Sequence, residues 1–492
     1  MRSPLRILTI GLLAGALAPA QEEQKKDSPP DPMPVEREAS VTIDGELIDY
    51  RVTSAKLVLK KDDGTPRASI FHISYERTGI RNASQRPVVF AFNGGPGSSA
   101  VWLHLGALGP RLVPSTPDGT SVLPPPQRVR PNPHSILDVA DLVFIDPVST
   151  GYSRADKEAK PSEFHGLEGD IESVSDFIRR WITEHRRWGS PKFLLGESYG
   201  GIRAAGVAHH LQQRYGMNLN GVVLLSSLLD FRTLRPAQGD DLYYTTFLSA
   251  FTATAHHHGR LKGDREKLLA DARKFAAGEY TVALRRGNSL PRAEQTRIAR
   301  RLSELTGIAP AIILEENLRL SATRFRKELL RDRGLVLGRF DARVAWPAYD
   351  RSSDYPAYDP SYSTVYGAFS TAMLDYLSGE LGWKEESPYE ILTGKVRPWD
   401  YGADNSSVNM SGRLQAAMRD NPNLRVLVQC GQTDLATAPG AIEYSVEHFF
   451  NLPVERMDDI EFAYYEAGHM FYLNEPDLAK MRRDLLGFLA DE

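Results

Sequence analysis

The five residues Gly196-Glu197-Ser198-Tyr199-Gly200 constrain this chain more than any other part of it. They follow a short apolar run, Lys192 to Leu195, and precede a helix-like stretch, Gly201 to Arg214. A strand, a sharp turn and a helix in that order hold a serine hydroxyl clear of a sheet. Small neighbours are required there, because larger side chains collide at the dihedrals of such a turn. A G-x-S-x-G pentapeptide alone occurs by chance in many chains, so its weight comes from its surroundings.

Those surroundings read as a sheet buried on both faces. Apolar runs recur at 87–92, 141–146, 192–195, 219–225, 424–429 and 460–465. Continuous apolar strands, rather than alternating ones, are the mark of a parallel sheet covered on two sides. Helical patterns at 166–187, 201–214, 438–450 and 476–489 lie between several of them. The predicted fold class is therefore α/β, doubly wound. Ahead of this core, Val41 to Glu76 alternates apolar and polar residues, with turns at Asp44-Gly45 and Asp62-Asp63-Gly64, which predicts β-hairpins. From 231 to 400 the rhythm breaks into charged helical segments and a Tyr/Pro/Ser-rich stretch, Tyr349 to Tyr366. That region is expected to be an inserted cap over the carboxyl edge of the sheet, dividing the core into 39–230 and 401–492.

The N-terminus has a different character. Arg2 and Arg6 precede an apolar run, Ile7 to Leu17, and the small-residue site Ala18-Pro19-Ala20. This predicts a secretory signal over 1–20, cleaved before Gln21, and a secreted or periplasmic location. The run is too short for a permanent membrane span. Residues 21–38 are charged and proline-rich and are expected to form a disordered linker. The formal charge of −4 offers no basic footprint for nucleic acid. A single cysteine, Cys430, rules out an intramolecular disulfide, so the 492-residue chain must rely on its core. Cys430 ends an apolar run and reads as a buried strand-end residue. His256-His257-His258 has no carboxylate or cysteine partner at ligand spacing and reads as a solvated loop, not a metal site.

A serine hydroxyl is a weak nucleophile until a base takes its proton, and the base must be oriented by a third group. In the α/β-hydrolase fold these follow in the order Ser, Asp/Glu, His, each at the end of a strand. Asp434, in Gly431-Gln432-Thr433-Asp434, follows the run at 424–429. His469, in Gly468-His469-Met470, follows the run at 460–465. Either alone could be a helix cap or a loop histidine. Together, in this order, they predict a triad with Ser198. Asn93-Gly94-Gly95-Pro96-Gly97-Ser98-Ser99 closes the strand at 87–92. Acyl transfer needs preorganised N–H donors for an oxyanion, and Gly95 and Tyr199 are the expected pair. The glycine loop lacks both the Lys-Ser/Thr end and the spacing of a phosphate loop.

These four motifs, with Leu108-Gly109-Pro110 and Ile145-Asp146-Pro147-Val148-Ser149-Thr150-Gly151-Tyr152-Ser153, resemble the serine carboxypeptidase family. The resemblance covers 87–225 and 424 onward. It implies a secreted, cofactor-free and metal-free peptidase that acts on a free C-terminus through an acyl-enzyme on Ser198. It also implies that Asn93, Gly94 and Glu197 bind the substrate, with Asn93 and Glu197 meeting its terminal carboxylate. A carboxyl can serve there if one proton is shared between the two acids. Met470 is a candidate for lining the pocket of the leaving residue, or equally for core packing. The chain departs from the family's common pattern in having Ala91 where a tryptophan often stands and Ala107 where a second glutamate often stands. Either another group completes the carboxylate network, or the carboxylate preference is weakened. An esterase or an aminopeptidase of the same fold is the alternative enzyme reading, and a binding protein on a hydrolase scaffold is the non-enzymatic one.

Overall fold

The computed structural model describes residues 33–121, 123–404 and 406–490. The expected signal at 1–20 and the first part of the expected linker, 21–32, lie outside the described residues.

Among the described residues, nine strands form the main path of one sheet: β1 Val35–Ile43, β2 Glu46–Lys60, β3 Pro66–Arg77, β4 Val88–Phe92, β5 Asp141–Ile145, β6 Lys192–Glu197, β7 Gly221–Leu225, β8 Arg425–Gly431 and β9 Ile460–Tyr465. Their spatial order is β1-β2-β3-β5-β4-β6-β7-β8-β9, and a two-residue strand, Arg154–Ala155, pairs with β3 off this path. The first three strands form an antiparallel meander. Its first turn, Asp44-Gly45, has positive φ at both residues (48° and 84°) and so matches the twist of the hairpin. β3 meets β5 antiparallel, and every pairing from β5 to β9 is parallel.

Strand pleating explains the apolar runs. In β4, Val88, Phe90 and Phe92 enter one core while Val89 and Ala91 enter another on the opposite face. Helices Leu167–Glu184, Tyr199–Tyr215 and Ser411–Asp420 cover the first core. Helices Pro360–Ser378 and Glu475–Ala490 cover the second. Phe90 is fully buried with its ring 5.4 Å from that of Trp181, in an edge-on contact. Truncating such an aromatic to alanine costs about 3–5 kcal/mol.

Two boundaries differ from expectation. β1 begins at Val35, inside the segment expected to be a linker to residue 38, and pairs from Val35↔Ser54 to Ile43↔Glu46. Glu36 and Glu38 point to solvent on this edge strand, whereas Val35 and Ala39 pack against the core. A charge-rich composition hid a one-sided strand. The region 231–400 is not one unit either. Helices Leu248–His257, Arg265–Phe275, Arg292–Thr306 and Ala322–Glu328 share a third core, in which Phe251 stacks on Phe325 at 4.3 Å. Helix Pro360–Ser378 instead joins the sheet's own core, and Leu392 and Glu390 bridge back to Ser98 and Gly151. The histidine tract is also not a loop: His256 and His257 end a helix, and the His258 ring bonds the Ala342 carbonyl at 2.7 Å. Cys430 is buried in β8, where burial lifts its thiol well above the ordinary value.

Because β4, β6, β8 and β9 are parallel, the loops after all four open on the same edge of the sheet. Asn93, Ser198, Asp434 and His469 stand in those loops or close to them.

Candidate active site

Ser198 follows β6 directly and has φ 62° and ψ −127°, a left-handed conformation that costs a non-glycine residue about 1–3 kcal/mol. The surroundings hold it there. Its N–H donates to the Leu225 carbonyl at 3.0 Å, and its own carbonyl accepts from Gly201 N (2.9 Å) and Ser227 Oγ (2.9 Å). A side chain at Gly196 is impossible, since a Cβ there would stand 2.1 Å from the Gly200 carbonyl oxygen. Gly94 brings the loop after β4 equally close, with a Cβ position 2.4 Å from Tyr199 N. Ser198 is half-buried while Glu197 and Tyr199 on either side are buried, so the serine is the part of the turn that meets solvent.

His469 and Asp434 form a buried hydrogen-bonded pair, Nδ1 to Oδ2 at 2.7 Å. The other oxygen of Asp434 accepts from Ala436 N (2.6 Å) and Thr437 N (2.9 Å), and Thr437 Oγ1 lies 2.8 Å from Oδ2. The acid is thus surrounded by donors. Burial alone would lower the His469 imidazole. The charge and hydrogen bond of Asp434, with the charge of Glu197, outweigh it and lift the ring above the usual histidine value. The cap secures the same histidine: Phe340 accepts from His469 N, and its ring lies 5.2 Å from the imidazole.

Glu197 is buried beside them. Its Oε2 accepts from Asn93 Nδ2 (2.9 Å) and from the Tyr472 hydroxyl (2.8 Å). Its Oε1 stands 3.9 Å from His469 Nε2. Burial pushes this carboxyl up to about 7, against the opposing pull of His469, Tyr472 and Asn93. Asn93 is fixed in turn, because its Oδ1 accepts from Leu103 N at 3.2 Å and its carbonyl accepts from Arg203 Nη1 at 2.6 Å. Arg203 is paired with Asp170 at 2.8 Å, both buried.

One cleft of about 390 Å³ collects these groups. Asn93, Gly94, Gly95, Glu197, Ser198, Tyr199, His469 and Met470, all expected from the sequence, line it, and Asp434 stands behind His469. The walls also include residues that sequence reasoning missed: Trp102, Phe340, Arg339 and Arg397. Thr437 and Tyr472 were missed as well. Thr437 follows Asp434 by three positions, as a residue capping a carboxylate does, which was a usable signal. Tyr472 carried none. Among the described residues no group of three or more His, Cys, Asp or Glu side chains could hold a metal ion, and no helix is long and apolar enough to cross a membrane.

A mixed sheet with this strand order, helices on both faces and a strained serine turn after β6 defines an α/β hydrolase. A solved structure agrees: a prohormone-processing carboxypeptidase of Saccharomyces cerevisiae superimposes with a TM-score of 0.55 over 90% of this chain and 92% of its own, at 13% identity, a likeness of fold. The chain belongs to the serine carboxypeptidase family, whose model matches residues 61–474. Serine carboxypeptidase-like 1 of Arabidopsis thaliana is 26% identical over 211 residues, 41% of this chain and 42% of that one. The lysosomal protective protein of Mus musculus is 31% identical over 147 residues, 30% of this chain and 28% of that one. The chain therefore matches less than half the length of these curated relatives.

Proposed function

We propose that this protein is a serine carboxypeptidase that removes the last residue of a peptide through an acyl-enzyme on Ser198. The observation that carries the reading is the buried Asp434–His469 hydrogen bond in the same cleft as the strained Ser198. In the proposed reaction, His469 Nε2 takes the Ser198 proton as Oγ attacks the carbonyl of the last peptide bond. Asp434 holds the Nδ1–H and stabilises the imidazolium. The N–H groups of Gly95 and Tyr199 receive the oxyanion. His469 then passes its proton to the leaving amine, the C–N bond breaks, and the terminal amino acid departs. Water, activated by the same histidine, attacks the ester and returns Ser198 to its starting state.

Carboxylate recognition falls to Glu197 and Asn93. A carboxyl lifted to about 7 is neutral under acidic conditions and can donate a hydrogen bond to the substrate's terminal carboxylate. We also infer export of the protein, on the basic start, apolar run and small-residue site of residues 1–20. N-terminal sequencing of the exported protein should then begin at Gln21.

The decisive assay compares an N-blocked dipeptide with the same dipeptide amidated at its C-terminus, using the wild type and Ser198→Ala. Release of the last amino acid from the free acid by the wild type alone, with the amide much slower, is the expected result. Equal turnover of both substrates, or cleavage of esters only, would assign the site to an esterase or amidase instead.

A further inference from the structure

We propose that Tyr472 is a positioning residue that decides which oxygen of Glu197 carries the proton, and thereby makes the cleft selective for substrates with a free terminal carboxylate. The inference rests on the reading of Glu197 as the group that meets that carboxylate.

The geometry around Glu197 is asymmetric. Both donors, Asn93 Nδ2 and the Tyr472 hydroxyl, converge on Oε2. The Asn93 amide cannot reverse, because its Oδ1 is already held by Leu103 N. A proton on Oε2 would therefore face the Asn93 N–H head-on. Tyr472 adds a second donor to the same oxygen, and the proton is left to Oε1. That oxygen is the one directed toward His469 Nε2, 3.9 Å away. A substrate carboxylate entering the cleft then meets a donor rather than a bare acid oxygen. Tyr472 is dependable in this role. It is buried, and burial together with the Glu197 charge lifts its phenol well above its ordinary value, so it remains a donor.

The fold makes room for this tyrosine. It lies in the single turn Phe471–Leu473, immediately after the His469 loop. Its ring rests against Gly106, where a Cβ would stand 2.7 Å from Tyr472 Cε2. A donor supplied from the histidine loop thus occupies the space beside Gly106. The other groups acting on Glu197 are His469 and Asp434, on the loops after β9 and β8, and they act equally whether or not the tyrosine hydroxyl is present.

The test uses the whole protein with Tyr472→Phe and Glu197→Gln, an N-blocked dipeptide acid and an N-blocked amino-acid methyl ester, with kcat and KM measured from pH 5 to pH 9. Tyr472→Phe keeps the ring and removes one hydroxyl, and ester turnover reports that the site is still folded. The free-acid KM of Tyr472→Phe should rise about fivefold relative to its ester KM, with kcat changed less than about twofold. Loss of a donor to the ionised form should also move the alkaline rise of the free-acid KM upward by about one pH unit. Equal changes on both substrates, or an unchanged pH profile, with Glu197→Gln still removing the alkaline rise of the free-acid KM, would overturn the role of Tyr472 alone. Glu197→Gln keeps a donor but cannot ionise, so it should abolish the alkaline rise of the free-acid KM; if that rise persists, the carboxylate reading of Glu197 falls, and the role of Tyr472 with it.

Discussion

Glu197 Oε1 and His469 Nε2 lie 3.9 Å apart in the cleft, so the acid that must keep its proton faces the base that must lose one. Each biases the other. The Glu197 charge helps to raise His469 above the usual histidine value, and the His469 charge opposes the burial that raises Glu197 to about 7. The two titrate as a pair. Activity on a free-acid peptide should therefore be bell-shaped in kcat/KM. It is gained as pH rises through the His469 value, above 6.5, because the base must be neutral. It is lost as pH rises beyond about 7, where Glu197 ionises and repels the substrate carboxylate. An ester without a carboxylate should keep the acidic limb and reach a plateau on the alkaline side. Parallel pH profiles on the two substrates check this, and identical bells on both would refute it.

Removal of the Ser198 hydroxyl should abolish turnover without unfolding the protein. In Ser198→Ala we expect kcat to fall by about 10⁴-fold or more, with the residual rate coming from oxyanion binding alone. Loss of a strained serine does not threaten the core, so the melting temperature should stay within a few degrees. A fluorophosphonate probe should label the wild type at Ser198 and leave the variant unlabelled, as read by peptide mass mapping.

Asp434 accepts from two backbone N–H groups as well as from His469 and Thr437. Asp434→Asn should lower kcat by about 10⁴-fold, because an amide presents its N–H to the histidine or fixes the wrong tautomer. Thr437→Val is milder. It removes the hydroxyl whose single proton is shared between Asp434 Oδ2 (2.8 Å) and the Ser226 carbonyl (2.7 Å), and should lower kcat by about tenfold. Steady-state kinetics on the ester substrate measure both effects independently of carboxylate binding.

Arg203 and Asp170 form a buried ion pair beneath the loop after β4. Burial raises the Asp170 carboxyl and the Arg203 charge opposes that rise, so the aspartate depends on its partner. Arg203→Met should destabilise the protein by about 3–5 kcal/mol, since it strands a buried acid and leaves the Asn93 carbonyl without its donor. The double variant Asp170→Leu with Arg203→Met should recover part of that loss. Urea unfolding of the three proteins tests the ordering, and a double variant less stable than the single one would contradict it.

Much of this molecule could be read before folding because its signals are local. The apolar runs of β4 to β9 reflect burial on both faces, and pleating sends Val88 and Val89 into different cores. Ser198, Asp434 and His469 each directly follow a strand or stand a few residues beyond one, where the order along the chain was enough to relate them. The misreadings have equally physical causes. Val35 to Glu38 lay in a charged stretch whose single inward side chain, Val35, was too little to register as alternation. Helix Pro360–Ser378 began inside a Tyr/Pro/Ser-rich segment whose proline starts a helix rather than breaking one.

From its sequence alone the chain determined the sheet, the serine turn and the loops that carry the expected triad, because dihedral preference and burial act over neighbouring residues. Only the tertiary structure decided what surrounds Glu197. Its partners come from the loop after β4 and from the turn after His469, and Tyr472 is 275 positions away along the chain. Hydrogen bonds of that separation leave no period and no spacing in a sequence. They exist because parallel strands end on one edge, where Gly106 leaves space for a distant ring to fill.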